Sequence, residues 1–313
     1  MVACRGEDPS VLMAHSWDVL ARDLISAQPA WRVHSVFPTA FNLVAPDGDL
    51  LGVVSAPAGN GPATIVLEPA TLGSGFESLL TPGDPTWRTG QQLVFGEGLV
   101  VDLGRAELWD PAPIRRERSA PEIERRLTRA AMIASGLSRG EGLSPLLTEA
   151  SALAVDSVEH PLTARAELLV AQARCSLARL TGAIRDGRWT AALPAARELS
   201  GLGPGLTPSG DDLLAGLALG LRTALGSLPV PLCTALWLAV EGRTTDLAVA
   251  RVRHALGGHA DEVVHGLLAA IVAGTDEGLD DAVRAALTYG HSSGADTLVG
   301  LIVGLSLGIA PRP

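Results

Sequence analysis

The chain has no lysine; all 24 of its basic residues are arginine. This excludes the lysine-dependent phosphate loop of nucleotide-binding enzymes, and Schiff-base or pyridoxal chemistry, both of which need a primary amine. Aromatic residues make up 4% of the sequence, too few for platforms on which nucleic-acid bases stack. The net charge of -10 is equally unsuited to a phosphate backbone, so no nucleic-acid partner is expected, although a local anion site remains open. Cysteine is scarce: Cys4, Cys175 and Cys233 lie far apart, with neither a disulfide framework nor zinc spacing, which suits a reducing cytoplasm. Long apolar runs are missing too. The most apolar stretch, "LVGLIVGLSLGIA", has 13 residues where a membrane span needs about 20, so it reads as a buried helix and no membrane partner is expected. The N-terminal "MVACRGEDPS" is charged and has no signal-peptide core.

What is present divides in two. With 313 residues and 47% hydrophobic content, the chain can build a large core in two parts. Residues 1–115 read as β-rich after a short helix near Ser16–Ala27. "FNLVAPDGDLLGVVS" and "QQLVFGEGLVVDL" are hairpins turning at Pro46–Asp49 and Gly96–Gly98, and "ATIVLE" is a further strand. Short strands with Gly/Pro turns predict a small barrel or folded sheet. The segment "DPAPIRRERSAP" is the junction. From residue 116 to 313 the periodicity turns helical, with one apolar face at Ile123, Leu127, Ala131 and Ala134 and another at Leu162, Leu169, Ala173 and Leu177. The fold class is α+β, with the β-rich part first and the mainly helical part second.

One pattern occurs twice in the helical part. "SGDDLLAGLALGL" (209–221) and "SGADTLVGLIVGL" (293–305) share S-G-x-D-x-L-x-G-L-x-x-G-L. Glycine recurs every fourth residue, at Gly216 and Gly220 and at Gly300, Gly304 and Gly308. Each helical glycine costs roughly 1 kcal/mol relative to alanine, so a stripe of them signals close approach of another backbone. The two helices are therefore expected to cross at their glycine faces, with their N-termini aimed at one place. Unpaired N–H groups and the helix dipole would then form an anion site without Lys or Arg. In "GLGPGLTPSGDD", Gly203 and Gly205 allow positive φ or close approach, and Pro204 and Pro208 stiffen the loop.

Two readings of these segments stand side by side. Ser209-x-x-Asp212 and Ser293-x-x-Asp296 match a capping box with Asp in place of Glu, and two capped core helices need no ligand. A cap does not require Gly203, Gly205, Thr207, a second carboxylate at Asp211, or His291 and Ser292 ahead of the other copy. His291 is a candidate for proton transfer or a polar surface contact. Thr244 and Thr245 are candidate hydroxyl donors, with Thr245 as a helix cap the alternative. Asp211, Asp212 and Asp296 could hold Mg²⁺ or simply complement the helix dipole. His254, His259 and His265 show no zinc spacing. Asn42 falls on a strand, where Asn is disfavoured, and is a candidate ligand contact between the two parts.

"GLGPGLTPSGDDLLAG" and "GHSSGADTLVG", with "TTDLAVARVRHALGGHADEVVHGLLAAI" between them, resemble the family that includes the AllH-type subunit of oxamate carbamoyltransferase, from allantoin degradation. The resemblance covers much of the helical part; the N-terminal part is similar only in layout. It implies a multi-subunit complex that transfers a carbamoyl group: oxalurate and phosphate would give oxamate and carbamoyl phosphate. On that reading Gly203, Gly205, Thr207, Ser209, Gly210, Thr244, Thr245, Ser292, Ser293, Gly294 and Asp296 would bind the small anionic substrate, with Asn42 added from the β-rich part. His291 would move a proton, and Asp211 and Asp212 would orient donors or ligate a metal. Neither motif contains the arginine clamp common at carbamoyl-phosphate sites, so the arginine comes from elsewhere in the chain or from a partner subunit. In the latter case the chain would be a non-catalytic or half-site component, an anion-binding or scaffolding subunit; an enzyme for another acyl-phosphate substrate is the further alternative.

Overall fold

The computed structural model describes residues 10–28, 30–69, 75–96, 98–138, 140–150 and 165–310. The chain divides into two compact units, residues 1–112 and 113–313.

The first unit contains nine strands among its described residues: β1 (Ser10–Asp18), β2 (Ala30–Val36), β3 (Ala40–Val44), β4 (Leu50–Ser55), β5 (Thr64–Leu67), β6 (Pro85–Thr89), β7 (Gln92–Phe95), β8 (Leu99–Asp102) and β9 (Glu107–Trp109). They pair in the order β5-β4-β3-β2-β6-β7-β8-β1-β9, and an antiparallel β1–β5 pairing closes eight of them into a barrel. Both hairpins read from the sequence form, β3–β4 around Gly48 (φ 91°) and β7–β8; Glu97 of the second turn lies outside the described residues. The scarce phenylalanines are spent here. Phe41 stacks edge-on against Phe76 and Phe95, at ring separations of 4.9 and 5.2 Å, in the barrel interior.

The helix expected near Ser16–Ala27 starts later, as α1 (Val19–Ala27). Residues 16–18 instead extend β1, where Ser16–Asp18 pair in parallel with β9. Asp18 marks the change. Its buried carboxylate accepts the Leu20 N–H at 2.9 Å, capping α1, and the Ala63 N–H at 2.7 Å.

The second unit is helical: α2 (Ala120–Leu137), α3 (Arg165–Arg185), α4 (Trp189–Leu199), α5 (Ser209–Leu225), α6 (Val230–Val240), α7 (Asp246–Gly257), α8 (Glu262–Val272), α9 (Asp276–Leu287) and α10 (Ser293–Ile309). Ile123, Leu127, Ala131 and Ala134 of α2 are buried, as are Ala173 and Leu177 of α3. Leu169 is partly buried, and Leu162 lies outside the described residues. Buried Arg126 of α2 donates to the carbonyls of Ala270, Ile271 and Thr275 and also bonds Asp276. It thereby ties the end of α8 and the start of α9 to α2.

α5 and α10 form the centre of this unit and are buried on all sides over most of their length. They touch backbone to backbone. A Cβ on Gly216 would overlap the Thr297 carbonyl, and one on Gly300 would overlap that of Leu213. One turn further along, Gly220 faces Leu301 and Leu305, and Gly304 faces Leu217 and Leu221. Contacts that advance together along both chains mean that the helices run parallel. The contacts are also reciprocal: Gly216 meets Thr297 and Leu301, and Gly300 meets their counterparts Leu213 and Leu217. The two copies of the motif are thus related by a local two-fold axis between them. Approach this close brings Cα–H groups against carbonyl oxygens, which offsets part of the glycine penalty.

Candidate functional site

Because α5 and α10 are parallel and in register, their N-termini end side by side. Thr207 Oγ1, in the loop entering α5, lies 3.2 Å from Ser293 Oγ at the start of α10. The capping-box reading does not survive this geometry. The N-cap positions are Pro208 and Ser292, with no side-chain cap, and Ser209 and Ser293 are the first helical residues. Both carboxylates instead look across to the other helix, Asp296 keeping a second contact with Ser292 at the start of its own. Ser293 faces Asp212 across the seam, Ser209 faces Asp296, and each hydroxyl favours the charged carboxylate.

The two crossed pairs have different surroundings. Asp296 Oδ1 accepts the Leu143 N–H at 2.6 Å, and the segment carrying Leu143 presses so closely that Gly142 has no room for a Cβ. Ser292 adds a further hydroxyl, while burial pushes the Asp296 carboxyl up. Asp212 is fully buried, and neither of its oxygens has an aligned hydrogen bond. Its charge partner is Arg251 of α7, whose Nε lies 2.7 Å from Oδ1. Burial, with Asp296 and Asp261, pushes the Asp212 carboxyl up against the pull of Arg251 and Ser293, to about 7. Arg251 is itself held on several sides. It pairs with Asp261 at 2.5 Å, donates to Tyr289 Oη at 3.2 Å and to Thr297 Oγ1 at 3.3 Å, and packs over the Tyr289 ring. Tyr289 donates to Asp261 at 2.8 Å. Burial disfavours the charge on Arg251, but Asp261, Tyr289 and Asp212 more than compensate and hold it protonated.

The remaining residues singled out in the sequence fall around this centre in distinct roles. Asp211 turns away from Asp212: its Oδ2 accepts from Thr244 Oγ1 at 2.7 Å and from the Gly201 N–H at 3.0 Å, pinning the loop. Burial is the main influence on the Asp211 carboxyl and pushes it up. Thr245 caps α7 through the Ala248 N–H at 3.1 Å and also bonds the Leu206 carbonyl. Gly203 and Gly205 take positive φ, at 112° and 102°. Gly210 and Gly294 pack against the carbonyls of Leu199 and Ala286, and their N–H groups donate to Leu202 and Tyr289 at 2.9 and 3.1 Å. Those two amides are therefore not the free anion donors the sequence suggested. His291 is 84% exposed, with Nε2 3.5 Å from Glu141 Oε2. It borders a polar hollow of about 470 Å³ that Ser138, Glu141, Arg284, Thr288 and Ser292 also line. Asn42 belongs to the first unit, where its amide donates to Ser35 Oγ at 3.0 Å. Among the described residues, no three His, Cys, Asp or Glu side chains gather as a metal-binding set, so Asp211, Asp212 and Asp296 do not form one.

Sequence reasoning missed Arg251, Asp261 and Tyr289. Arg251 sits in "ARVRHALGG", which reads locally only as a helix end. The one available signal was Tyr289, the single tyrosine of the chain, placed directly before the second motif.

A closed barrel followed by a helical unit with a duplicated, seam-crossing Ser–Asp arrangement defines a two-part protein with one polar centre in its second part. Both parts match family models. Residues 13–108 match the AllH family N-terminal domain, and residues 199–305 match the family described as oxamate carbamoyltransferase subunit AllH. The chain belongs to the AllH family. No curated protein and no solved structure matched it.

Proposed function

We propose that this chain works as a subunit of a carbamoyltransferase, and that the paired starts of α5 and α10 hold the small anionic substrate. The reaction is oxalurate plus phosphate to oxamate plus carbamoyl phosphate, or its reverse. The observation that carries this reading is the convergence of Thr207, Ser293 and buried Asp212 at two parallel helix N-termini. Hydroxyls and a helix dipole suit phosphate and carboxylate oxygens, and a tetrahedral carbamoyl centre needs fixed donors for its oxyanion. On this reading Asp212 exchanges a proton there, and His291 is the second candidate for proton transfer, from the surface.

The test is an assay with oxalurate and phosphate, run on the chain alone and with its partner subunits. Carbamoyl phosphate should form with the partners present, and the isosteric Asp212→Asn and the surface His291→Ala should each abolish it while leaving the thermal transition nearly intact. If the assembled complex forms no carbamoyl phosphate, the reading fails.

One observation favours a second reading. Arg251 is taken up by Asp212 and Asp261, so the cation for a phosphate would come from another subunit, and this chain would supply half a site or only a scaffold. Anion binding without turnover in every subunit combination would support it.

A further inference from the structure

The local two-fold axis gives the chain two chemically identical Ser–Asp pairs and then treats them differently. Ser209 is 2% exposed and its partner Asp296 is fully buried with Oδ1 taking the Leu143 N–H, so that pair is sealed, although Asp296 Oδ2 has no aligned hydrogen bond. Ser293 is only partly buried, its hydroxyl 3.2 Å from the partly exposed Thr207. Beneath it lies Asp212, fully buried, with no aligned hydrogen bond at either oxygen. Arg251 Nε lies 2.7 Å from Oδ1 as its charge partner, and Ser293 is the hydroxyl that faces it. A buried acceptor without an aligned hydrogen bond is costly unless it has a role. Ser293 also opens α10, where its own N–H and that of Ala295 take no backbone carbonyl among the described residues.

We propose that Ser293 is a nucleophile that carries the carbamoyl group between donor and acceptor, with Asp212 as its base and Arg251 as the residue positioning Asp212. The inference rests on the carbamoyl-transfer reading above. In the first step Ser293 Oγ bonds to the carbonyl carbon of carbamoyl phosphate and its proton passes to Asp212. The bond from that carbon to the phosphate oxygen breaks, and phosphate departs with the proton. In the second step the amide nitrogen of oxamate attacks the O-carbamoyl carbon and loses a proton to Asp212. The carbon–Oγ bond then breaks, and Ser293 recovers the proton. Nothing is oxidised or reduced, and both steps pass through an oxyanion that the free N–H groups of α10 can face.

The experiment mixes the complete complex with carbamoyl phosphate, quenches it in acid during the first turnovers and maps the peptides by mass spectrometry. One added carbamoyl group is expected on the peptide containing Ser293, discharged by oxamate and absent in Ser293→Ala, with turnover in that variant reduced by orders of magnitude. Ser293→Cys keeps a nucleophile of similar size, and thermal transitions of both variants within a few degrees of wild type are expected, which separates lost chemistry from a lost fold. Turnover by the wild-type complex with no label on Ser293, together with Ser293→Ala turning over within a few-fold of wild type, overturns the covalent role and leaves carbamoyl transfer standing. A complex that turns over no carbamoyl donor overturns both.

Discussion

Asp212 is charged only at a cost that its neighbours share unequally. Burial, helped by Asp296 and Asp261 and opposed by Arg251 and Ser293, raises its carboxyl from 3.8 to about 7. A carboxyl raised in the folded state stabilises the fold most below its unfolded value, and that contribution is lost as pH climbs through its folded value. Stability should therefore decline between about pH 4 and about pH 7, and Asp212→Asn should flatten the decline in a series of thermal melts. Asp211 and Asp296, also raised by burial, act in the same sense and leave a residual slope. Activity should run the other way. A base must be deprotonated, so the rate should rise as pH passes about 7.

Arg251 decides where that rise falls. Its fork reaches Asp212, Asp261, Tyr289 and Thr297 together, a geometry that a lysine ammonium does not reproduce. Arg251→Lys should shift the acidic limb of the rate profile to higher pH, measured on the assembled complex. Arg251→Met should cost about 3–5 kcal/mol in denaturant unfolding, because it leaves buried carboxylates without their cation.

At the scale of elements, the seam between α5 and α10 is the feature most exposed to test. Gly300→Ala puts a methyl into the Leu213 carbonyl, with backbone on both sides and no side chain to yield. We expect a loss of about 2 kcal/mol or more and a lower thermal midpoint. Gly205→Ala is a different case: nothing lies within 4 Å of a Cβ there, and only its φ of 102° is strained. Its effect should be confined to the loop and appear in substrate KM more than in stability. The same seam explains what was legible in the sequence. A helical glycine every fourth residue has few physical causes, so crossing helices could be read from Gly216, Gly220, Gly300 and Gly304. The Ser-x-x-Asp spacing was legible too, but its meaning was not. A local capping box and a pairing across to a neighbouring helix use the same residues, and only the tertiary arrangement distinguishes them. Arg251 left no mark, because its partners are distant in sequence and a buried arginine has no local signature.

At the scale of the molecule, the barrel was readable from its turns, and the closure of β1 on β5 was not, since β1 shares its sequence with what looked like the start of a helix. The segment joining the units has no regular secondary structure from residue 111 to 117, and Arg115 and Arg116 are exposed. In a chain without lysine, trypsin cuts only at arginine. Limited digestion should first cleave after Arg115 or Arg116 and leave two resistant fragments, residues 1 to 115 or 116 and the remainder to 313, each holding one compact unit. A ladder of small products instead would mean that the units do not hold their structure separately.

A contact made of main chain alone also has no rotamers to relax and no smooth track to slide on. Moving α5 along α10 by a single residue would drive leucine branches into peptide planes, so the only permitted shear is a jump of a whole helical turn. The floor beneath Thr207 and Ser293 is thus a fixed anvil, and whatever opens or shuts over a substrate must be the loops above it. Amide exchange should be slowest along Gly216–Leu221 and Gly300–Leu305 and faster at Gly203, Gly205 and Leu206.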